Sequence, residues 1–370
     1  MKKEGFTKEH SLILKGCMVF MLLFHHVFFG NAVTDEGIIL CTGRVNLFYN
    51  MVSYGKLCLS GFAFISAYGI TRQLMSCQGR MRDYLEITVN RLVKLSASCV
   101  FVYVIAIFYK RFVVVQSIKD IYRDMSGPFH PPYMLLDALG LADLFDTPTF
   151  NVTWWYFSYA IMLICALPAI FVLYRKIRIF TFPLVMFFLD DSMVGIAALG
   201  VLFAYEDVFG KLRAAAHKDR RIWAGILVFC LVAIACSYSI VAYERDSDSA
   251  MYWAGAVYAV TVMLYLSKIP VFSTVMKWIG RHSATIFMTH TLIYMYFYKE
   301  FIYSFRQDYL IYIVLFVCSM ATAVVIDALR RLVRYDKLVA HINEKIKGFL
   351  RTMTEGMSGE THVRKGMEQL

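Results

Sequence analysis

The sequence predicts an all-α, polytopic membrane bundle of about ten transmembrane helices, and three observations predict it. Hydrophobic residues make up 59% of the 370 and charged residues only 18%, where a soluble domain carries about a quarter. The apolar residues gather into runs close to the ~20 residues that a helix needs to cross a bilayer. The lysines and arginines fall on alternate sides of those runs.

Taken in order, the runs occupy 12–30, 47–70, 95–115, 153–174, 178–190, 192–206, 222–243, 250–267, 283–303 and 309–329. The first has basic residues before it and "GNA" (30–32) after it, as a secretory signal peptide would. Its apolar stretch is long for such a segment, and cleavage would leave an odd number of spans, so it reads as an anchor helix. The fifth and sixth runs are short and can form one broken hairpin around "LDDS" (189–192). In the ninth, Gly280 and Ser283 read as a helix start, with Ser283 near an N-cap position.

With the N-terminus inside, the inner segments hold 29 of the 38 lysines and arginines. They include Lys2, Lys3, Lys8 and Lys15; Arg72, Arg80, Arg82, Arg91 and Lys94; and the cluster from Arg330 onward. The outer loops carry acids instead, among them Asp35, Glu36, Asp137, Asp190, Asp191, Glu244, Asp246 and Asp248. This pattern predicts a multi-pass protein of the cell membrane with both termini cytoplasmic. The net charge of +11 then records topology and contact with the bilayer surface, not nucleic-acid binding. Residues 1–330 form the transmembrane domain, and 331–370 a cytoplasmic basic tail, amphipathic near 336–350. The outer loop 116–152, with "GPFHPP" and "DALGLADLFD", is expected to cap the outer mouth. The nine cysteines contain no C-x-x-C pair and read as small buried hydrophobes. No metal site is expected.

One stretch breaks the apolar rule. "LKGCMVFMLLFHHVFFG" (14–30) sets His25 and His26 inside a membrane run, where a polar side chain is costly without a polar partner or a cavity. Adjacent residues point about 100° apart on a helix, which is poor chelating geometry. Lys15 and His26 are 11 residues apart and share a face, with a rise of ~16 Å between them. A ligand with a charged head and a thin arm, such as acyl-coenzyme A, would fit that spacing. Arg91 and Lys94, three apart on the third span, could hold its phosphates or serve only as topology signals. Lys56 lies within the second run, as an oxyanion partner or as the partner of a carboxylate. His290 is a substrate contact or a hydrogen-bonded packing residue. Trp154 and Trp155 are interface anchors or sugar-stacking platforms. Asn151-Val152-Thr153 matches a glycosylation triplet close to the membrane.

Five stretches together resemble the membrane-bound acyltransferase 3 family. "LKGCMVFMLLFHHVF" looks like its first helix, and "GFAFISAYGI" (61–70) is similar to its Phe-x-x-Ser-Gly-Tyr pattern. "RLVK" (91–94) sits where the family has Arg-x-x-Arg, "NVTWWYFSYAI" (151–161) resembles its Asn…Trp-Trp helix start, and "IGRHSATIFMTHTLIY" (279–294) is close to its C-terminal Ser…His stretch. The likeness runs from about residue 11 to 330. It implies transfer of an acyl group, usually acetyl, from cytoplasmic acyl-coenzyme A to a hydroxyl of an envelope glycan or glycolipid. It implies a catalytic His at the end of the first helix, where spacing from Lys15 favours His26 over His25, and donor binding by Arg91 and Lys94. Two departures matter: Lys94 replaces an Arg and loses its bidentate fork, and Ala67 replaces a Gly, which puts close helix packing there in question.

A neutral imidazole can take the proton of an attacking hydroxyl or accept the acyl group itself; the sequence leaves both open. It also leaves two other functions in play, a transporter or flippase and a non-catalytic subunit of polysaccharide assembly.

Overall fold

The computed structural model describes residues 5–77, 79–123, 128–189, 192–244 and 248–367. Sixteen α-helices appear among them: α1 (Lys8–Phe28), α2 (Ala32–Asp35), α3 (Val45–Tyr54), α4 (Cys58–Met75), α5 (Met81–Phe112), α6 (Pro131–Ala138), α7 (Trp155–Ile177), α8 (Thr181–Leu189), α9 (Ser192–Tyr205), α10 (Val208–Lys218), α11 (Arg220–Tyr243), α12 (Met251–Leu264), α13 (Pro270–Thr291), α14 (Lys299–Tyr303), α15 (Asp308–Leu332) and α16 (Tyr335–Met367). No strand longer than an isolated bridge occurs among the described residues. Every predicted run falls on a helix. Five helical stretches are long and apolar enough to cross a membrane: Lys8–Phe28, Met81–Phe112, Val152–Val185, Arg220–Tyr243 and Asp308–Leu332.

α1 is the central helix. Thr7 caps it, accepting a hydrogen bond from the His10 amide at 3.4 Å while His10 Nδ1 accepts from the Thr7 amide at 3.0 Å. Ile13, Leu14, Met18, Val19, Leu22, Leu23 and Val27 are buried around it. It runs parallel to α13 and crosses it where both helices carry glycine. A β-carbon on Gly16 would strike the Met276 carbonyl, and one on Gly280 the Leu12 carbonyl. α3 and α4 continue one another through a 3₁₀ turn at Gly55–Leu57. A β-carbon on Gly55 would lie 2.8 Å from His25 Cβ, so this turn seats the first histidine.

Several expectations change. α13 begins at Pro270, well before Ser283, because Pro at the first turn already satisfies the rules for a helix start. Ser283 is mid-helix and donates to the Gly280 carbonyl at 2.9 Å. The doubt over Ala67 is answered by the opposing helix: Gly200 of α9 packs on Ala67 and the Phe64 carbonyl. The tail is one helix laid against α5. The Tyr335 hydroxyl donates to the Ala97 carbonyl at 3.0 Å, Asn343 donates to Asn90 at 2.9 Å, and Arg351 bridges Glu86. Asp190, Asp191 and Asp246 lie outside the described residues.

The predicted inner and outer segments sort to opposite ends of the bundle. Phe6 stacks on Phe209, Lys277 pairs with Glu9 and Arg178 pairs with Glu206 at the basic end. At the other, Cys41 and Tyr309 amides donate to Asp308 and Lys299 pairs with Glu36. Loop 116–152 folds around Asp137, which accepts from the Tyr122 hydroxyl at 2.7 Å, the Thr149 hydroxyl at 2.8 Å and the Phe150 amide at 2.6 Å. Burial pushes the Asp137 carboxyl upward, while those three donors favour its charged form.

Candidate functional site

The acidic end of the bundle holds a cavity of about 750 Å³. The C-terminal turn of α1 supplies His25 and His26 to its wall, and the turn before α4 supplies Lys56. Thr153 and Trp155 enter from the start of α7, and Tyr294 from the segment after α13. That segment, Leu292–Phe297, is π-helical. Such turns commonly mark functional sites, because the extra residue redirects side chains. The rim is formed by α2 and α14, tied together by Glu36 and Lys299 at 2.6 Å. Among the described residues loop 116–152, expected to cap the mouth, reaches the cavity only through its end; Tyr122 ties it to Tyr103 of α5, and Ser158 of α7 donates to its Gly140 carbonyl.

His26 does not stand alone. Its Nδ1 is 2.7 Å from Nε2 of His290, and the two rings meet edge to edge, nearly coplanar, with centroids 4.9 Å apart and planes 12° apart. His290 Nδ1 faces the Ile286 carbonyl at 3.0 Å. A carbonyl can only accept, so in the neutral ring that nitrogen carries the proton and Nε2 is bare. His26 must then donate from Nδ1, which leaves its Nε2 lone pair free on the cavity side. Thr291 Oγ1 lies 3.2 Å from the same His290 nitrogen and 2.9 Å from Thr153 Oγ1, and Thr153 donates to Asn151 Oδ1 at 3.0 Å. With Thr153 donating to Asn151, Thr291 spends its proton on Thr153, and the His290 Nε2 lone pair is left to His26.

His25 is held differently. Its Nδ1 donates to the Val52 carbonyl at 2.8 Å, so its Nε2 is also a free acceptor at the cavity. Both histidines thus present a lone pair, but only His26 has a second imidazole behind it that can receive a proton.

The remaining predicted residues divide. His290 is fully buried behind His26 and does not line the cavity, so it is not a substrate contact and matches the alternative, a hydrogen-bonded packing residue. Trp154 is 4% exposed and donates its indole N–H to the Met288 carbonyl at 3.1 Å, within a cluster of Tyr103, Phe150 and Phe157. It is core. Trp155, a helical step of about 100° further on, is 38% exposed and lines the cavity. Lys56 lines it too, but its ammonium sits 3.4 Å from Asp248, the carboxylate partner that was the alternative to an oxyanion role. Asn151 is fully buried by its capping bond to the Thr153 amide, which removes the glycosylation triplet from reach.

Lys15 and Arg91 do not line the cavity. Both are half-buried, and Arg91 Nε is enclosed with no partner. Lys94 is exposed. The α1 face between Lys15 and His26 is closed by Met18, Val19 and Leu22, each at most 2% exposed. The sequence overlooked Thr153, Thr291 and Tyr294; the one available signal was the polar run Thr289-His290-Thr291 inside an apolar span. Comparison with protein-family models, with characterised proteins and with solved structures finds no match to this chain.

Proposed function

We propose that the protein is a membrane-embedded O-acyltransferase of the cell membrane, crossing it about ten times with both termini in the cytoplasm. In this reading acetyl-coenzyme A, or another acyl-coenzyme A, is the donor, and a hydroxyl of an envelope glycan or glycolipid is the acceptor. The observation that carries it is the His26–His290 pair at the wall of the cavity. The motif resemblance adds to it.

His26 Nε2 accepts the proton of the acceptor hydroxyl as that oxygen attacks the thioester carbonyl. His26 releases its Nδ1 proton to His290 Nε2, so the positive charge comes to rest on a ring whose Nδ1–H already faces the Ile286 carbonyl. The C–S bond breaks, and the proton is returned to the departing coenzyme A sulfur. Transfer of the acyl group to His26 Nε2 before the acceptor arrives uses the same lone pair. Trp155 offers its exposed ring face to a sugar, and the paired charges Glu36–Lys299 and Lys56–Asp248 suit a neutral acceptor. Lys15 and Arg91 supply positive charge for the donor phosphates.

The test is acetyl-coenzyme A turnover by the purified protein in nanodiscs, with and without extracted envelope glycan, and comparison of glycan acetylation in cells with and without the gene. Acyl transfer that disappears in His26→Ala supports the reading. Unchanged glycan acetylation without the gene, together with no turnover in vitro, overturns it in favour of transport or assembly.

A further inference from the structure

A second polar pocket, of about 490 Å³, opens at the basic end between α13 and α15. Trp278, Arg281, His282, Asp327, Arg330 and Arg331 line it. It shares no residue with the histidine cavity.

Its two carboxylates, Asp327 and Asp336, are already engaged. His282 Nδ1 donates to one oxygen of Asp327 at 2.5 Å and the Thr285 hydroxyl to the other at 2.7 Å. Asp336 pairs with Arg330 at 2.7 Å, and Arg330 also donates to Ser98 at 3.1 Å. Arg281 and Arg331 form no ion pair among the described residues. Arg331 is aimed by its Nε, which donates to the Asp327 carbonyl at 3.2 Å and leaves both Nη groups to a ligand. Two guanidinium groups with their neighbouring carboxylates satisfied make a site for a phosphate, whose oxygens match the guanidinium fork.

The pocket's height and flank indicate the source of that phosphate. The apolar part of α15 spans about 20 residues, one hydrocarbon thickness, and ends at Arg330 and Arg331. Trp278, 46% exposed, sits at the same level, where indoles favour the membrane interface. On the bilayer side of the charged mouth Val325, and at its level Leu329, are exposed. Charge over an outward apolar flank matches a phospholipid, headgroup above and acyl chains alongside.

We infer that this pocket holds the phosphate of an anionic phospholipid in the leaflet at the basic end of the bundle. The inference requires only that the helices lie in a membrane, and is independent of the acyl-transfer reading.

The test titrates the purified full chain in detergent with short-chain phosphatidylglycerol, short-chain phosphatidylcholine or inorganic phosphate, following thermal stability. Phosphatidylglycerol is expected to raise Tm saturably, and phosphatidylcholine and inorganic phosphate are not. In Arg281→Gln/Arg331→Gln the apparent affinity should fall about tenfold or more, as loss of charged hydrogen bonds requires. The charge-matched variant Lys337→Gln/Lys345→Gln, outside the pocket, should keep the wild-type affinity. If the first variant does not fold, Arg281→Lys/Arg331→Lys keeps the charge without the fork and should bind more weakly than wild type. An equal response to phosphatidylcholine, an equal response to inorganic phosphate alone, or equal loss in the Lys337/Lys345 variant overturns the assignment.

Discussion

His26 Nδ1 and His290 Nε2 face each other at 2.7 Å, 264 positions apart in the chain. Because the Ile286 carbonyl fixes the proton on the far side of His290, the contact has one direction. It holds His26 in the tautomer whose free nitrogen meets the cavity. A residue that orients a base in this way acts through it without touching substrate.

The proposed roles separate by substitution. His26→Ala should lower acyl transfer by about 10²–10⁴-fold, the usual range for a general base. His290→Leu keeps bulk but removes the acceptor, and should cost roughly 10²-fold or more. His290→Gln restores a carbonyl acceptor and should recover part of that loss. His25→Ala should have the mildest effect of the four. Turnover per correctly inserted protein is the readout, and a dead His25→Ala beside an active His26→Ala would reverse the assignment.

Much of the fold was legible because composition and charge are global signals. Each apolar run fell in helical structure, and five of the helical stretches are long and apolar enough to cross a membrane. The candidate site was legible only in part. His25 and His26 stood out as polar residues in an apolar run, whereas the function of His290 depends on which helix lies beside α13, and that is set by Gly16 and Gly280 acting together. Periodicity cannot report such a pairing. Nor could the sequence separate Trp154 from Trp155, since both have the same composition signal and only the packing of α7 turns one inward. Helix starts were misplaced where a proline preceded the apolar run, as at Pro270.

The tryptophan pair tests that distinction. Trp154→Ala removes a buried ring and its bond to the Met288 carbonyl, and should destabilise by about 3–5 kcal/mol. Trp155→Ala should leave thermal stability nearly unchanged and raise the apparent KM for the glycan acceptor. Equal loss of stability in both variants would mean that Trp155 is also core.

The glycine crossing links packing to the site. Gly280→Val drives a β-carbon into the Leu12 backbone, and backbone cannot swing aside. α1 and α13 must then separate, which lengthens the His26–His290 contact. Tm should fall, and acyl transfer should fall further than the fraction of unfolded protein explains. Ser283→Ala, one turn away and bonded only to the Gly280 carbonyl, should be close to wild type in both measurements.

Orientation follows from which side the basic end faces. A cysteine at exposed His217, in a background without accessible cysteines, should be protected from an impermeant thiol reagent in intact cells. One at Asp120 in the opposite loop should react. The reverse pattern would place the donor phosphates on the wrong side for acyl-coenzyme A.

The donor site gives the last prediction. Lys15 and Arg91 are both half-buried, neither forms an ion pair among the described residues, and the Arg91 Nε has no partner there. An incoming phosphate would neutralise such half-buried cations and complete the guanidinium's hydrogen bonds. Arg91→Gln should therefore raise the apparent KM for acyl-coenzyme A by roughly tenfold or abolish turnover. Lys15→Gln should weaken the donor as well, and added salt should shrink the difference between wild type and variants. Lys94 is exposed, whereas Lys15 and Arg91 are half-buried. So Lys94→Gln should change donor affinity little, and Lys94→Arg should not improve it. Direct measurement of donor binding in nanodiscs decides the point. If Lys94→Gln weakens the donor as much as Arg91→Gln, the charge of the whole segment is responsible and Arg91 has no specific phosphate contact.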